Sequence, residues 1–384
     1  MSTAVTAKGL EGVVAGETSI CRVEQTSLIY RGYEIADLAA NATFEQVAFL
    51  LIEGHKPDDA ELARFRDELV ANRALPTPVI EFLKTIGPMI QSGSAAPMDI
   101  IRTCVSILGN LDPDSQHNSP DANLRKSKRI LAKAPTIIGH MQNVIDGRDI
   151  IAPGTGGDAN LSHAANLLYL MTGTRPSPEY EKVMDVSLIL YAEHDFNAST
   201  FTSRVIAGTL SDMHGAVAGA IAALKGPLHG GANEAAMEML KEIQASVADG
   251  GTVQQFMDNA FADKRKLMGF GHRVYKQGDH RAGILHALGR KAAESKGPDA
   301  VALFEIGEEV QRIMQDQKGI FPNVDFPCGM TYFVMGIPVP QYTPIFVASR
   351  ISGWCAHIME QHANNRLIRP RASYIGQDLR QWNP

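Results

Sequence analysis

Apolar residues along this chain recur mostly at the three-and-four spacing of amphipathic helices, and one stretch near the N-terminus breaks that rhythm. There Val13-Val14, Ile20 to Val23 and Ser27 to Tyr30 are short β-like runs parted by Gly16-Glu17-Thr18 and Glu24-Gln25-Thr26, which predicts a small hairpin at most. Helices then follow closely. Thr43-Phe44-Glu45-Gln46 has the form of a capping box, Val47, Leu50 and Leu51 make the stripe behind it, and Gly54 ends the helix. Pro57-Asp58-Asp59 opens another through Leu62, Phe65 and Leu69. The periodicity predicts more helices over Pro78 to Ile86, Pro97 to Leu108 and Leu124 to Ile145. The polar, proline-containing Leu111 to Asn123 and the glycine-rich Pro153 to Asp158 read as loops.

The second half repeats the pattern. Helices are predicted over Ala159 to Thr172, after Pro178 with Val183, Val186, Ile189 and Leu190, and from Phe201, Ala216 and Ala232. Others cover Thr252 to Lys266, Ala282 to Ser295, Ala300 to Gln317 and Phe346 to Asn364. Gly269 to His280 reads as a loop, Pro322 to Pro327 as extended chain, and the tail from Arg366 as irregular. The fold class is therefore all-α with a short N-terminal β-hairpin. No repeat or low-complexity linker appears, so any domain division is built into the fold rather than tethered by a linker.

Composition narrows the function classes. A chain of 384 residues has room for two or three domains, and its 45% hydrophobic and 20% charged residues are ordinary for a globular protein. A net charge of −6 argues against nucleic-acid binding, and the one basic run, Arg125-Lys126-Ser127-Lys128-Arg129, reads as a solvated helix face. Cys21, Cys104, Cys328 and Cys355 are scattered without CxxC spacing, which suits free thiols in a reducing cytoplasm. Met1 to Gly9 carries no apolar signal core. The most apolar stretch, Val205 to Leu224, is interrupted by Asp212 and His214 and reads as packed interior rather than a membrane span. These features predict a soluble, cytoplasmic protein.

Five segments carry the chemistry. In Lys225-Gly226-Pro227-Leu228-His229-Gly230-Gly231 the proline breaks one helix, the glycines permit unusual angles and close approaches, and His229 is left near the start of the next helix. Free N–H groups and the helix dipole there disfavour an imidazolium, so a neutral ring is available to donate a hydrogen bond to a carbonyl gaining charge. Tyr191 to Thr200 is a dense polar cluster around His194, with Asn197 and Ser199 as capping residues. Met268 to Lys276 places His272 after a G-x-G turn, with Lys266, Arg273 and Lys276 favouring phosphate nearby. A lone G-x-G is weak, and no G-x-G-x-x-G follows a strand. In Phe321 to Pro327 an aspartate flanked by Val324, Phe326 and prolines suggests a poorly solvated carboxylate with a raised pKa, suited to a general base. Arg350 and Arg369 suit bidentate binding of carboxylates. Together these fit proton abstraction beside a carbonyl on a polyanionic substrate. Metal chemistry fits poorly, since HExxH is absent; so does a serine nucleophile, since G-x-S-x-G is absent; and nothing marks Cys328 as an activated thiol.

Taken in order and spacing, Tyr191 to Thr200, Gly226 to Asn233, Gly269 to Tyr275, Phe321 to Asp325 and Arg369-Pro370-Arg371 closely resemble the citrate synthase family. Tyr30 to Tyr33 and Phe44 to Ala48 extend the likeness over nearly the whole chain, towards the shorter bacterial citrate synthases and 2-methylcitrate synthases. The resemblance implies a large helical domain (1–229 and 339–384) and a smaller one (230–338) that closes over the substrates, in a homodimer. It implies Asp325 as base, His229 as donor to the thioester oxygen and His272 at the ketone of oxaloacetate. His194, Arg281 and Arg350 would hold the oxaloacetate carboxylates, and Arg369 would reach in from the neighbouring subunit. Lys266, Leu267, Met268, Gly269, Phe270 and Gly271 would wrap the adenine end of coenzyme A, with Lys276 and Lys318 near its phosphates. No permanent cofactor or metal is implied; the acyl-CoA thioester, acetyl-CoA or propionyl-CoA, is a substrate. Departures are the order Glu193-His194-Asp195 and the stretch Phe326 to Met330, which is expected to line the acyl pocket and so bears on acetyl against propionyl. A non-catalytic paralogue that senses a metabolite is the alternative of a different class.

Overall fold

The computed structural model describes residues 8–10, 12–151 and 156–382. Pro153 to Thr155 of the predicted glycine-rich loop, and most of the stretch Met1 to Gly9, lie outside the described residues. A three-stranded antiparallel sheet comes first: β1 (Cys21–Val23), β2 (Leu28–Tyr30) and β3 (Tyr33–Glu34). The hairpin expectation thus gains a third strand, because Arg31 and Gly32 both take positive φ (48° and 92°), as a tight two-residue turn demands. Val13 and Val14 form no strand and lie exposed.

Helices make up the rest: α1 (Ile35–Asn41), α2 (Phe44–Glu53), α3 (Asp59–Asn72), α4 (Thr77–Thr85), α5 (Gly87–Gln91), α6 (Pro97–Leu111), α7 (Pro120–Ile145) and α8 (His163–Thr172). They continue as α9 (Pro178–Tyr191), α10 (Ala198–Ala207), α11 (Met213–Leu224), α12 (Ala232–Ala248), α13 (Val253–Ala262) and α14 (His280–Lys296). The last are α15 (Pro298–Lys318), α16 (Asp325–Val334) and α17 (Tyr342–Ala363). The Thr43 capping box forms with both of its hydrogen bonds, and Gly54 closes α2 at φ 89°. Helix α16 is a correction, since the proline-flanked stretch read as extended. Pro327 sits in the first turn, where a missing N–H costs nothing, so the helix starts at Asp325 itself.

Helix α17 is buried almost all round, its polar Ser349, Arg350, Ser352 and His357 included. It packs against α7, α9, α10, α11 and α2, while α16 packs between α12 and α14. The most apolar stretch is split between α10 and α11, and among the described residues no helix is long and apolar enough to cross a membrane. The basic run on α7 is not a solvated face. Arg129 pairs with Asp112 and Asp114, Arg125 with Asp114, and Lys128 with Glu53 and Glu68. Lys126 is fully buried and donates to the His117 carbonyl at 2.5 Å.

Candidate active site

Four irregular segments converge on one cavity of about 500 Å³: the α9–α10 loop, the turn before α12, the 266–274 loop, and the chain entering α16. His194, His229, His272, Arg281, Asp325 and Arg350 all line it, although they come from positions scattered between 194 and 350. Lys266, Leu267, Met268, Gly269, Phe270 and Gly271 line it too. Lys276 donates to the His272 carbonyl, Lys318 sits over the Phe261 ring, and Arg369 lies in the exposed tail; none of these lines the cavity.

His229 is set by the turn 226–230, closed by its N–H to the Gly226 carbonyl and by the Gly230 N–H to the Leu224 carbonyl. Gly230 is needed for space rather than angle, because a Cβ there would lie 2.6 Å from the Leu224 oxygen. The Ser199 N–H donates to His229 Nε2 at 3.3 Å, and the Ser199 hydroxyl lies 2.9 Å from the same atom. An accepting Nε2 leaves the proton on Nδ1. The ring titrates at about 4, pushed down by burial and then by the charge of Arg350. The neutral ring expected is therefore present, with desolvation as its main cause. Ser199 does not cap α10, as expected of it; Asn197 alone accepts from the Ser199 and Thr200 N–H groups.

His272 has the opposite tautomer. Its Nδ1 accepts from the Val274 and Tyr275 N–H groups, each at 3.1 Å, so its proton is on Nε2. Burial, then Arg281, lowers its pKa to about 4. Its ring stacks on Tyr275 at 4.4 Å and meets His194 edge-on at 5.1 Å. His194 shares a hydrogen bond with the Tyr275 hydroxyl, and burial with the arginine charges drives its pKa well below normal.

Asp325 accepts a 2.7 Å hydrogen bond from the Tyr191 hydroxyl, and desolvation nevertheless raises its pKa to about 6. The chain that delivers it is tied to the His272 loop. Gly271 N–H donates to the Phe321 carbonyl, Asn323 N–H to the Gly269 carbonyl, and the Asn323 amide to the Gly271 carbonyl. Gly269 cannot be replaced there, since it holds φ 83° and a Cβ would press on Phe326 at 2.9 Å. Phe326, Cys328 and Met330 pack into the core and none of 326–330 lines the cavity, contrary to the expectation for that stretch. Tyr191, Ala232, Val324 and Phe346 form the wall beside Asp325 instead. Burial pushes the Cys328 thiol up to about 12, which leaves no thiolate at neutral pH.

Arg281 is braced through its Nε and Nη2 by Asp279, which also accepts from the Val324 N–H. Arg350 donates Nε–H to the Tyr191 carbonyl at 2.6 Å, stacks over Phe346 and leaves Nη1 buried with no partner among the described residues. A buried guanidinium N–H without a partner invites an anion. Sequence alone gives no role to Asp279, Tyr191, Tyr275 or Asn323. Their functions arise from contacts, and only the polar density of their segments pointed to them.

The family model described as "Citrate synthase, C-terminal domain" matches residues 9–371. The 2-methylcitrate synthase of Shewanella oneidensis is 43% identical over 99% of this chain and 97% of its own length. The citrate synthase of Heyndrickxia coagulans is 40% identical over 96% of this chain and 95% of its own. The citrate synthase of the thermophilic archaeon Thermoplasma acidophilum, in ternary complex with carboxymethyl coenzyme A and oxaloacetate, superposes with a TM-score of 0.87 at 31% identity over 98% of both chains.

Proposed function

The chain belongs to the citrate synthase family, condensing a coenzyme A thioester with oxaloacetate, and from that premise we propose which residues do the work and which thioester it takes. Asp325 removes a proton from the α-carbon of the thioester. His229 donates Nδ1–H to the thioester oxygen as it becomes enolate-like, and His272 donates Nε2–H to the ketone of oxaloacetate and protonates the new alkoxide. The enolate carbon attacks the ketone carbon, and water then cleaves the acyl-CoA adduct to the tricarboxylate and free CoA.

The observation that carries this reading is a carboxylate titrating at about 6 on the same cavity wall as two neutral imidazoles with opposite tautomers. A thioester α-proton is weakly acidic, so a carboxylate succeeds only with preorganised donors, each of which typically contributes about 3 to 4 kcal/mol. His194, Arg281 and the unpartnered Nη1 of Arg350 hold the oxaloacetate carboxylates. Lys266 to Gly271 wrap the nucleotide end of coenzyme A, with Lys276 and Lys318 meeting its phosphates from outside the cavity.

Segment 230–338 acts as a smaller domain that closes over the rest. In support, His272 and Asp325 belong to that segment, while His194 and Arg350 belong to the remainder, so a bound substrate bridges both. The protein works as a homodimer in the cytoplasm. The tail supports the dimer: Leu367, Tyr374, Ile375, Leu379 and Trp382 are exposed, Trp382 at 98%, an apolar strip that a second copy would cover. Arg369 in that tail completes the partner's oxaloacetate site.

Acetyl-CoA is the main thioester and propionyl-CoA a second one. The 43% identical relative named 2-methylcitrate synthase favours appreciable propionyl turnover, and one methylene is worth only about 1 to 3 kcal/mol of discrimination. Steady-state kinetics with oxaloacetate and each thioester, followed by free thiol release, test both points. A specificity constant higher for propionyl-CoA reverses the preference, and no turnover with either removes the catalytic reading.

A further inference from the structure

The α9–α10 loop serves two of the cavity histidines at once. It carries His194, and through Asn197 it presents Ser199, whose N–H holds Nε2 of His229. What holds the loop itself is a buried polar chain, Glu193, His357, Arg204 and Glu360, none of which lines the cavity. Glu193 is fully buried, with its backbone bracketed by the Tyr30 hydroxyl, which donates to the Glu193 carbonyl at 2.8 Å and accepts from its N–H. Its Oε1 lies 2.9 Å from Nε2 of His357, also fully buried, on α17. Arg204 Nη1 donates to His357 Nδ1 at 3.0 Å and to Glu360 at 2.7 Å, and Glu360 accepts from Ser19. An arginine has no acceptor, so Nδ1 must accept and the proton sits on Nε2, donated to Glu193.

The chain is also sterically locked. At Gly353, one turn before His357, a Cβ would stand 2.1 Å from Glu193 Oε2 and 2.4 Å from the Ala192 carbonyl. The loop therefore crosses α17 where only glycine leaves room, three residues from Arg350. Trp354 donates Nε1–H to the Ser199 hydroxyl from the same helix.

We infer that Glu193, His357 and Arg204 are positioning residues. They register the His194–Ser199 loop against α17 and so set the oxaloacetate-binding histidine, the tautomer of His229 and Arg350 relative to one another. The assignment of substrates rests on the proposed function; the registration itself does not. A misplacement of about 1 Å at a reacting centre can cost about a hundredfold in rate.

The test uses the full chain in a Trp382→Phe background, so that emission reports Trp354. His357→Ala is expected to lower kcat and raise the KM for oxaloacetate, each by about tenfold or more, while the KM for acyl-CoA stays within about twofold. Trp354 emission should shift as its Ser199 partner moves. His357→Gln, which can both donate to Glu193 and accept from Arg204, should recover most of the loss. Should His357→Ala not fold, His357→Asn, polar but too short to reach both partners, gives the same reading. Kinetic constants unchanged despite a lower Tm, equal damage in Gln and Ala, or both KM values rising together would each overturn the assignment. If the parent protein shows no turnover, the functional reading has failed, and the Trp354 shift and its recovery by Gln still decide the registration.

Discussion

At the scale of single residues, Asp325 is held where burial disfavours its charged form. Asp325→Asn is expected to abolish condensation and leave oxaloacetate affinity, measured by calorimetry, close to that of the parent; half the parent turnover would exclude it as the base. Because its pKa is raised to about 6 and those of His229 and His272 are lowered to about 4, kcat/KM for the thioester should fall as pH drops through about 6. An acidic limb near 4 would contradict that. The same shift acts on stability. A folded pKa above the unfolded 3.8 means that the folded state binds the proton more tightly, so stability declines as pH rises through 6. Asp325→Asn should accordingly be about 1 to 2 kcal/mol more stable than the parent at pH 8, after allowance for water in the open cavity. His229, His272 and Asp325, which share one cavity, stand out in the sequence because glycine and proline isolate them. Their supports do not: Tyr191 is 134 residues from Asp325, and no local pattern announces a hydrogen bond across that separation.

At the scale of elements, periodicity is enough for most of the helices; it fails where proline reads as a breaker and at the short, proline-free α1, which it does not predict. Helix α16 was missed because Pro327 falls in a first turn, and the loop before α7 was drawn too long because Pro120 opens that helix rather than ending a loop. Helix packing adds a constraint that periodicity cannot express, namely which glycines mark crossings. Gly139 on α7 faces α8, where a Cβ would lie 2.3 Å from Leu170 Cβ and 2.9 Å from its backbone carbonyl carbon. Gly139→Ala should cost about 1 to 3 kcal/mol, seen as a lower denaturant midpoint, with kcat/KM unchanged. Gly353→Ala meets the α9–α10 loop instead, so it should lower stability and turnover together. Equal behaviour of the two variants would mean that α17 does not register the loop.

At the scale of the whole molecule, burial of histidines and the apolar tail each set a property that no single site contains. His140, His214, His229 and His272 titrate at about 4 and His163 at about 3, in every case chiefly because burial penalises the cation. Their unfolded pKa is 6.5, so the unfolded chain takes up these protons first and stability is lost as pH falls below 6.5. Asp185 and Asp325, raised to about 6, act in the opposite sense but are fewer, so a urea midpoint measured at pH 5 should lie below that at pH 7. The tail poses the question of subunits. With Arg369 outside its own cavity, a closed two-fold dimer would exchange tails, and each site would then need one chain's Asp325 and the other chain's Arg369. Mixing Arg369→Ala with Asp325→Asn chains, each nearly inactive alone, therefore builds one intact site in every hybrid. Random reassortment should restore about a quarter of the parent turnover per chain. If Arg369 served its own chain, both sites of the hybrid would stay defective and mixing would restore nothing.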